Sequence, residues 1–490
     1  MQGSLLGLCD HIECSTLQLD RATCEHSQRQ SEMTTVKVAN HENPSESVEV
    51  PRESLLEAFS SYTTLHGFHF ALSSTNRVRQ IIWILLLILT SVVLIYQLAY
   101  STQRVLEYAS MVQVETRNED SITFPAISIC SNNMMQKSKI LGKDAQRYLD
   151  LLDQKKEDQW DAISQSFSPD FDIEKAVHQY GLNLSLAMKS CHYGRYLKCN
   201  PSHFTTFKEF RYGLCYTFNS GKRESAFISH DTGPTSGLSI TLDAQPEEYY
   251  SLYSSTGTGF RVIVHDQSEF PWVEKHGWEI PPGFSTNVRL ARKEISSLES
   301  PYNSNCSRDT NYASQSYCLV QCYSDMVVKR CGCHMLGMTE ETGHTPWCSP
   351  QQIKACVYTT SRRFQPNMCS CPVRCSRVEF DVQLSSLYYP PDNFWETISN
   401  ERNLTIYAND TKKFQEWYRR RVIQLNVFYK ELTTEVRKEK EAYTISDLAG
   451  DFGGNMGLFL GCSILTIAEF IDLLVVYLVH RHKKRTAKIQ

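Results

Sequence analysis

Eight residues near the C-terminal end, Asp447, Gly450, Gly454, Gly457, Gly461, Leu465, Ala468 and Asp472, follow one another at steps of three and four. On a helix that spacing puts them on one stripe, small through its middle and acidic at its ends. Asp451 and Glu469 add two more carboxylates beside it. The surrounding stretch is uncharged from Phe452 to Ala468 and apolar again from Leu473 to Val479. Carboxylates facing lipid at a helix centre cost about 2.5–3.5 kcal/mol each, so such a face belongs against other helices and water. Two chemistries fit. Small residues four apart let helix backbones approach closely in a membrane. Alternatively, carboxylates ring a cation path while backbone carbonyls coordinate the ion. Packing alone accounts for the glycines but not for the acids.

The elements that must position this stripe are two membrane spans. Residues 444–479 are long enough to cross a hydrocarbon core about 30 Å thick. A first span over residues 80–101 is uncharged and rich in Ile, Leu and Val. Arg77 and Arg79 precede it, and the basic tail at residues 480–490 follows the second span. The excess of positive charge predicts both termini on the cytoplasmic side. Residues 102–443 then form one large extracellular domain, and residues 1–79 a polar cytoplasmic tail containing His66 and Gly67. No secretory signal is expected, because the first long apolar run begins at Ile81.

Cysteine usage supports that topology. Of 18 cysteines, 14 lie between the spans, at 130, 191, 199, 215, 306, 318, 322, 331, 333, 348, 356, 369, 371 and 375. An even, dense set in one segment fits seven disulfides in an oxidising compartment. Zinc is the competing reading, but Cys331-Gly-Cys333 and Cys369-Ser-Cys371 lack the wider ligand gap of structural zinc sites, so no metal is expected. The sequons at Asn183, Asn305, Asn403 and Asn409 all fall in the same segment. Cys9, Cys14 and Cys24 read as reduced cytosolic thiols.

The chain has 490 residues, 41% of them hydrophobic, and a formal charge of −4, which gives no basis for nucleic-acid binding. No nucleophile–base, metal or phosphate-cradling motif points to an enzyme or a cofactor. Within the extracellular domain, residues 121–130 read as a strand leaving the first span. Residues 135–190 read as a peripheral helical lobe, and 237–290 as sheet. Residues 306–375 form a cysteine-stapled lobe, and Val422 onwards a strand returning to the membrane. The fold class is therefore an α+β membrane protein, two transmembrane helices flanking a disulfide-rich domain with a β core and peripheral helical lobes.

Several of these pieces together resemble the degenerin/epithelial sodium channel superfamily, which includes the acid-sensing ion channels. They are His66-Gly67, Phe124-Pro125-Ala126 before Cys130, the spacing Cys318-x3-Cys322-x8-Cys331-x-Cys333, and Gly453-Gly-Asn-Met-Gly-Leu-Phe-Leu-Gly-Cys-Ser463. The resemblance covers Leu65 to Val479. It implies a trimer, homomeric or with related subunits, whose second spans surround a sodium-preferring pore blocked by amiloride in the plasma membrane. Gly461, Cys462 and Ser463 would be the selectivity filter, with His66-Gly67 beneath it. Gly450 would be the position where bulk holds such channels open, and Glu469 and Asp472 the acids of the lower pore. The resemblance also implies the pairs Cys130–Cys215, Cys191–Cys199, Cys306–Cys375, Cys318–Cys371, Cys322–Cys369, Cys331–Cys356 and Cys333–Cys348.

The stimulus is where the chain departs from acid-sensing relatives. Their thumb helix is rich in carboxylates, whereas residues 357–368 contain no acid and carry Arg362-Arg363. Paired histidines beyond the first span are replaced by Tyr108-Ala-Ser-Met-Val, and a coupling tryptophan by Pro301-Tyr302. A shifted histidine remains a possible proton site. A neuropeptide would seek acidic and aromatic groups such as Glu247-Glu248-Tyr249-Tyr250 and Phe270-Pro-Trp272. Protons or a peptide rank ahead of a constitutive or mechanically gated leak. A non-conducting two-span receptor would leave the intramembrane acids unexplained.

Overall fold

The computed structural model describes residues 55–72, 76–153, 159–164, 167–168, 170–222, 224–250, 257–308, 312–338, 345–391 and 411–486. Asn403, Asn409, Cys9, Cys14 and Cys24 lie outside the described residues. Helix α1 (Leu55–Tyr62) belongs to a separate unit that ends at Tyr62. The rest of the chain, from Thr63, forms the second unit.

That unit begins with a short helix, α2 (Phe68–Leu72), and the long apolar helix α3 (Arg77–Leu106). Asn76 caps α3 by accepting the Val78 N–H at 3.0 Å. Mean hydropathy over the best window of α3 is 2.6, and almost none of that window is buried within the chain. A helix that is apolar and exposed on nearly every side suits lipid rather than water.

From the C-terminal end of α3 the chain runs into β1 (Ser110–Asn118) and then β2 (Ala126–Ser131). The peripheral helices α4 (Asp144–Leu152) and α5 (Ile173–Tyr180) follow. Next come β3 (Met188–Tyr193), β4 (Phe204–Glu209), β5 (Gly213–Phe218), β6 (Leu238–Asp243), β7 (Phe260–His265), β8 (Trp278–Ile280) and β9 (Phe284–Ser296). The cysteine-rich lobe carries α6 (Gln315–Cys331). The chain returns through β10 (Ser376–Tyr388), α7 (Thr411–Arg419) and β11 (Val422–Glu441).

Two sheets organise these strands. The larger runs β10-β9-β11-β6-β3 and ends on the two-residue strand Leu197–Lys198, with β1 added on β11. The smaller runs β8-β7-β2-β5-β4. Strand β11 changes neighbours along its length: Val422–Val427 pair with β6, while residues 433–441 pair with β1. Its upper half is thus bound into the sheet core, and its lower half is tied to the strand leaving α3. The core between the sheets contains Phe124, Ile127, Phe218, Leu238, Ile240, Leu290, Leu425 and Tyr429, all buried.

A second core joins the peripheral helices to the cysteine lobe. Tyr148 and Leu149 of α4 and Val177 of α5 pack with Val327 of α6, Leu336, Ile353 and Val357. Among the described residues there are seven disulfides, Cys130–Cys215, Cys191–Cys199, Cys306–Cys375, Cys318–Cys371, Cys322–Cys369, Cys331–Cys356 and Cys333–Cys348. They are the same pairs that the family resemblance implies, and five of them staple residues 306–375.

The expected single helix over residues 444–479 is a correction. The structure has two helices, α8 (Ile445–Leu460) and α9 (Ile464–Thr486), bent by 73° across a three-residue break. Gly461 stops the first in a left-handed conformation, φ 65°, and Ser463 starts the second, exchanging hydrogen bonds with Thr466 three residues on. The stripe therefore does not run straight through. Leu465, Ala468 and Asp472 stand on a helix of different direction from Asp447, Gly450, Gly454 and Gly457. Among the described residues, one helix is long and apolar enough to cross a membrane, or two if the bent pair counts as one span.

Candidate functional site: the broken helix and the loop beneath it

The break at residues 461–463 exposes backbone groups that a continuous helix would consume. Among the described residues, Gly461 and Cys462 donate back to Gly457 and Met456 at 3.0 and 3.1 Å, closing the end of α8. The Leu460 carbonyl is taken by the His66 N–H at 3.1 Å. His66 thus sits directly against the break, although the whole disulfide-rich domain separates it from Gly461 in sequence. A β-carbon on Gly461 would overlap the His66 ring at Nδ1, so glycine is required here by space as well as by φ. Gly67, at φ 83°, lies where a β-carbon would come 3.1 Å from the Trp83 ring of α3.

Five further contacts seat this loop. Glu469 of α9 accepts the Thr64 N–H at 2.9 Å and the Thr63 hydroxyl at 3.0 Å. Thr64 and Thr466 share a hydroxyl–hydroxyl bond of 2.6 Å. On the other side, Phe70 stacks on Trp83 with ring centroids 5.1 Å apart, and the Arg79 guanidinium lies 4.9 Å from the Phe70 ring. Residues 63–72 therefore bridge α3 and the head of α9, directly below the break.

At the other end of α8 the acids have structural partners. Asp447 and Thr444 form a reciprocal capping box, with Asp447 accepting the Thr444 N–H and hydroxyl at 2.8 Å each. Asp451 accepts from Ser101 of α3 at 3.1 Å and from the Tyr443 hydroxyl at 2.5 Å. The Arg104 guanidinium sits 4.3 Å from the Tyr443 ring. Asp451 is thus turned toward α3, while Asp447, Gly450, Gly454 and Gly457 are exposed. No neighbour lies within 4 Å of where a β-carbon on Gly450 or Gly454 would stand, so that face of α8 is open in the single chain. Leu465, Ala468 and Asp472 are likewise exposed on α9.

A family model of amiloride-sensitive sodium channels matches residues 59–473, which include every residue of this arrangement. The chain belongs to the amiloride-sensitive sodium channel family. Among curated relatives, acid-sensing ion channel 4-B of Danio rerio is 30% identical over 448 residues, covering 87% of this chain and 76% of its own length. Acid-sensing ion channel 4 of Rattus norvegicus is 29% identical over 86% of this chain and 79% of its own. Acid-sensing ion channel 1A of Danio rerio is 28% identical over 87% and 89%. Members of this family are ion channels and not enzymes.

For this member of the sodium channel family, the remaining sequence candidates fall away from the break. Glu247 binds Arg421 at 3.4 Å, and Glu248 accepts both the N–H and the hydroxyl of Ser138 at 2.9 Å. Tyr249 bonds Gly259, and Tyr250 reaches Asp150 at 3.0 Å. These groups, read from sequence as a ligand surface, are engaged within the domain. Phe270 packs edge-on against Tyr317 of α6, and Trp272 receives the Lys275 ammonium at 4.0 Å. In the acid-poor interval, Arg362 donates to the Tyr358 hydroxyl at 2.7 Å. Asn183 and Asn305 are exposed, as carbohydrate attachment requires.

Sequence reasoning missed three participants. Thr63, Thr64 and Ser101 are small hydroxyl residues with no local pattern to mark them. Their partners are 350 or more residues away.

Proposed function

We propose that this chain is a subunit of an amiloride-sensitive, sodium-selective cation channel of the plasma membrane, opened by an extracellular stimulus. Three copies, or copies with related subunits, would bring the α8 stripes together around the ion path. The observation that carries the reading is the helix break at Gly461-Cys462-Ser463 with His66 packed against it. A broken helix at membrane depth leaves carbonyls and small side chains to face an ion, which is tolerated only where the backbone lines protein or water. Gly450, Gly454 and Gly457 give the outer path its open face, with Asp447 at its mouth. Glu469 and Asp472 supply carboxylates below. Both termini would be cytoplasmic, and the disulfide-rich domain extracellular.

The test is whole-cell recording from cells expressing this chain, with amiloride, during an extracellular acid step and then a neuropeptide panel. An amiloride-blocked inward sodium current is the expected result. A current present at rest and suppressed by acid would identify a constitutive leak instead. The filter is tested separately with Ser463→Leu and Gly461→Leu. Each is expected to lose sodium-over-potassium preference or current at normal surface expression, and unchanged selectivity in both would remove residues 461–463 from the filter.

A further inference from the structure

Helix α7 has two faces of different chemistry. Phe414 and Tyr418, four residues apart, are buried and pack with Val422, Tyr389 and Trp417. The other side carries Lys412, Gln415, Glu416, Arg419 and Arg420, at steps of three and four, and forms one wall of a groove of about 650 Å³. The facing wall is the edge where β9 begins and β10 ends. Phe284 and Tyr388 are the first pair of that ladder, and their rings stack with centroids 5.1 Å apart. Tyr388 is nonetheless 76% exposed. Pro246 and Pro282 extend this apolar side. Backbone frames the groove at Gly283, whose N–H donates to the Val422 carbonyl at 2.8 Å and whose carbonyl accepts the Tyr389 N–H at 2.9 Å. A β-carbon on Gly283 would fall 3.0 Å from the Arg419 carbonyl oxygen, so the strand passes close beneath the end of α7.

The charge in the groove is one-sided. Three cations line it against a single carboxylate, Glu416. Glu416 accepts from Arg420 at 3.0 Å, but both side chains are more than two-thirds exposed, and such a pair contributes little. Arg420 can therefore turn to a stronger acceptor at small cost. Arg419 donates to the Pro390 carbonyl at 3.3 Å, which holds its guanidinium at the wall. Among the described residues, neither the Lys412 ammonium nor the Gln415 amide has a hydrogen-bond partner. Glu247, next to Pro246 in sequence, is bound by Arg421 at 3.4 Å, and the same arginine holds Asp243 at 2.9 Å. The acids around the groove are thus engaged, while its own donors face the open space. A cleft of this size, with a flat apolar wall and a few convergent polar groups, has the makings of a small-molecule site.

We propose that the groove between α7 and the β9–β10 edge binds an organic anion with a flat apolar body, in chemical class an aromatic carboxylate or sulfonate. Its ring lies against Tyr388, which Phe284 backs from behind. Its anionic oxygens take hydrogen bonds from Lys412 and Arg420, with the Gln415 amide between them. A ligand held in this way ties α7 to the ends of β9 and β10. It braces the point from which β11 sets out toward β1.

The experiment titrates naphthalene-2-sulfonate calorimetrically into the purified full chain at low and high sodium chloride, with naphthalene-2-methanol as the neutral counterpart. Wild type is expected to bind the sulfonate, more weakly as salt rises, and the alcohol should not displace it. Replacing both cations, Lys412→Gln with Arg420→Gln, is expected to weaken binding about tenfold or more, the scale of a lost charged hydrogen bond. Tyr388→Ala is expected to weaken it roughly twofold to tenfold. If the double variant fails to fold, Tyr388→Ala and the salt dependence carry the test. No binding to wild type, undiminished binding to the variants, or displacement by the alcohol at equal concentration overturns the site. The pore reading is decided by currents and by the filter variants, so the two failures are distinguishable.

Discussion

The ring of Tyr302 meets the ring of Tyr108 edge-on, with centroids 5.7 Å apart and planes at 85°. Tyr108 stands two residues beyond the end of α3, and Tyr302 lies in the turn between β9 and Cys306, where the cysteine lobe begins. The contact connects the base of that lobe to the C-terminal end of α3. Tyr302→Ala is expected to weaken channel opening by extracellular stimulus, while Tyr302→Phe preserves it. An aromatic pair is worth about 0.5–1.5 kcal/mol beyond its buried area, so the opening equilibrium should shift by roughly twofold to tenfold. Dose–response curves on surface-matched cells check this.

Glu469 and the threonines of the preceding loop form a second coupling. Thr64→Ala removes one hydroxyl partner of Thr466, and Glu469→Gln weakens the charge-assisted bond from the Thr64 N–H. Together they are expected to disturb ion selectivity less than the sum of the single changes, with an interaction of about 0.5–3 kcal/mol in a double-mutant cycle. Reversal potentials in mixed sodium and potassium solutions give the readout, and strict additivity would mean that the loop does not act on α9 through this contact.

His265 gives the fold a pH dependence of its own. Its Nε2 meets Ser128 at 2.9 Å and its Nδ1 meets the Asp266 carbonyl at 2.9 Å, and burial lowers it to about 4. Its folded value lies below its unfolded one, so the stability it contributes is present above about pH 6.5 and is lost as pH falls toward 4. The loss is up to about 3 kcal/mol. His265→Gln should flatten the acid limb of the melting profile, and an acid limb as steep as that of wild type would assign the loss to other groups.

Cys306–Cys375 closes the neck of the cysteine lobe across a sequence separation of 69. Replacing both with serine is expected to cost about 4 kcal/mol on a chain-entropy estimate. The melting temperature of the disulfide-rich domain should fall well below that of the Cys191–Cys199 double variant, whose loop spans only 8 positions.

How far the sequence led differed from place to place. Helix α3 was plain, because an uncharged apolar run between Arg79 and Arg104 is long enough for one unbroken helix. The break in the second was hidden by its own regularity, since glycines four apart keep helical phase. The stop and start signals were nonetheless adjacent: Gly461 as a left-handed terminator, then Ser463 with Thr466 three residues later. Asp447 was likewise marked as a cap by Thr444 three residues before it. Asp451's turn toward α3 was not readable, because Ser101 is its partner and no local pattern names it.

Strands β9 and β10 pair in unbroken antiparallel register from Phe284–Tyr388 to Ser296–Ser376. The whole cysteine lobe therefore leaves and re-enters the sheet at one pair of adjacent residues, with the Cys306–Cys375 bridge just above. A segment attached in this way has a single covalent port, so changes within residues 297–375 leave the β9–β10 register in place and reach the rest of the fold through packing alone: the second core with α4 and α5, and the close approach of Gly337 to residues 208–210.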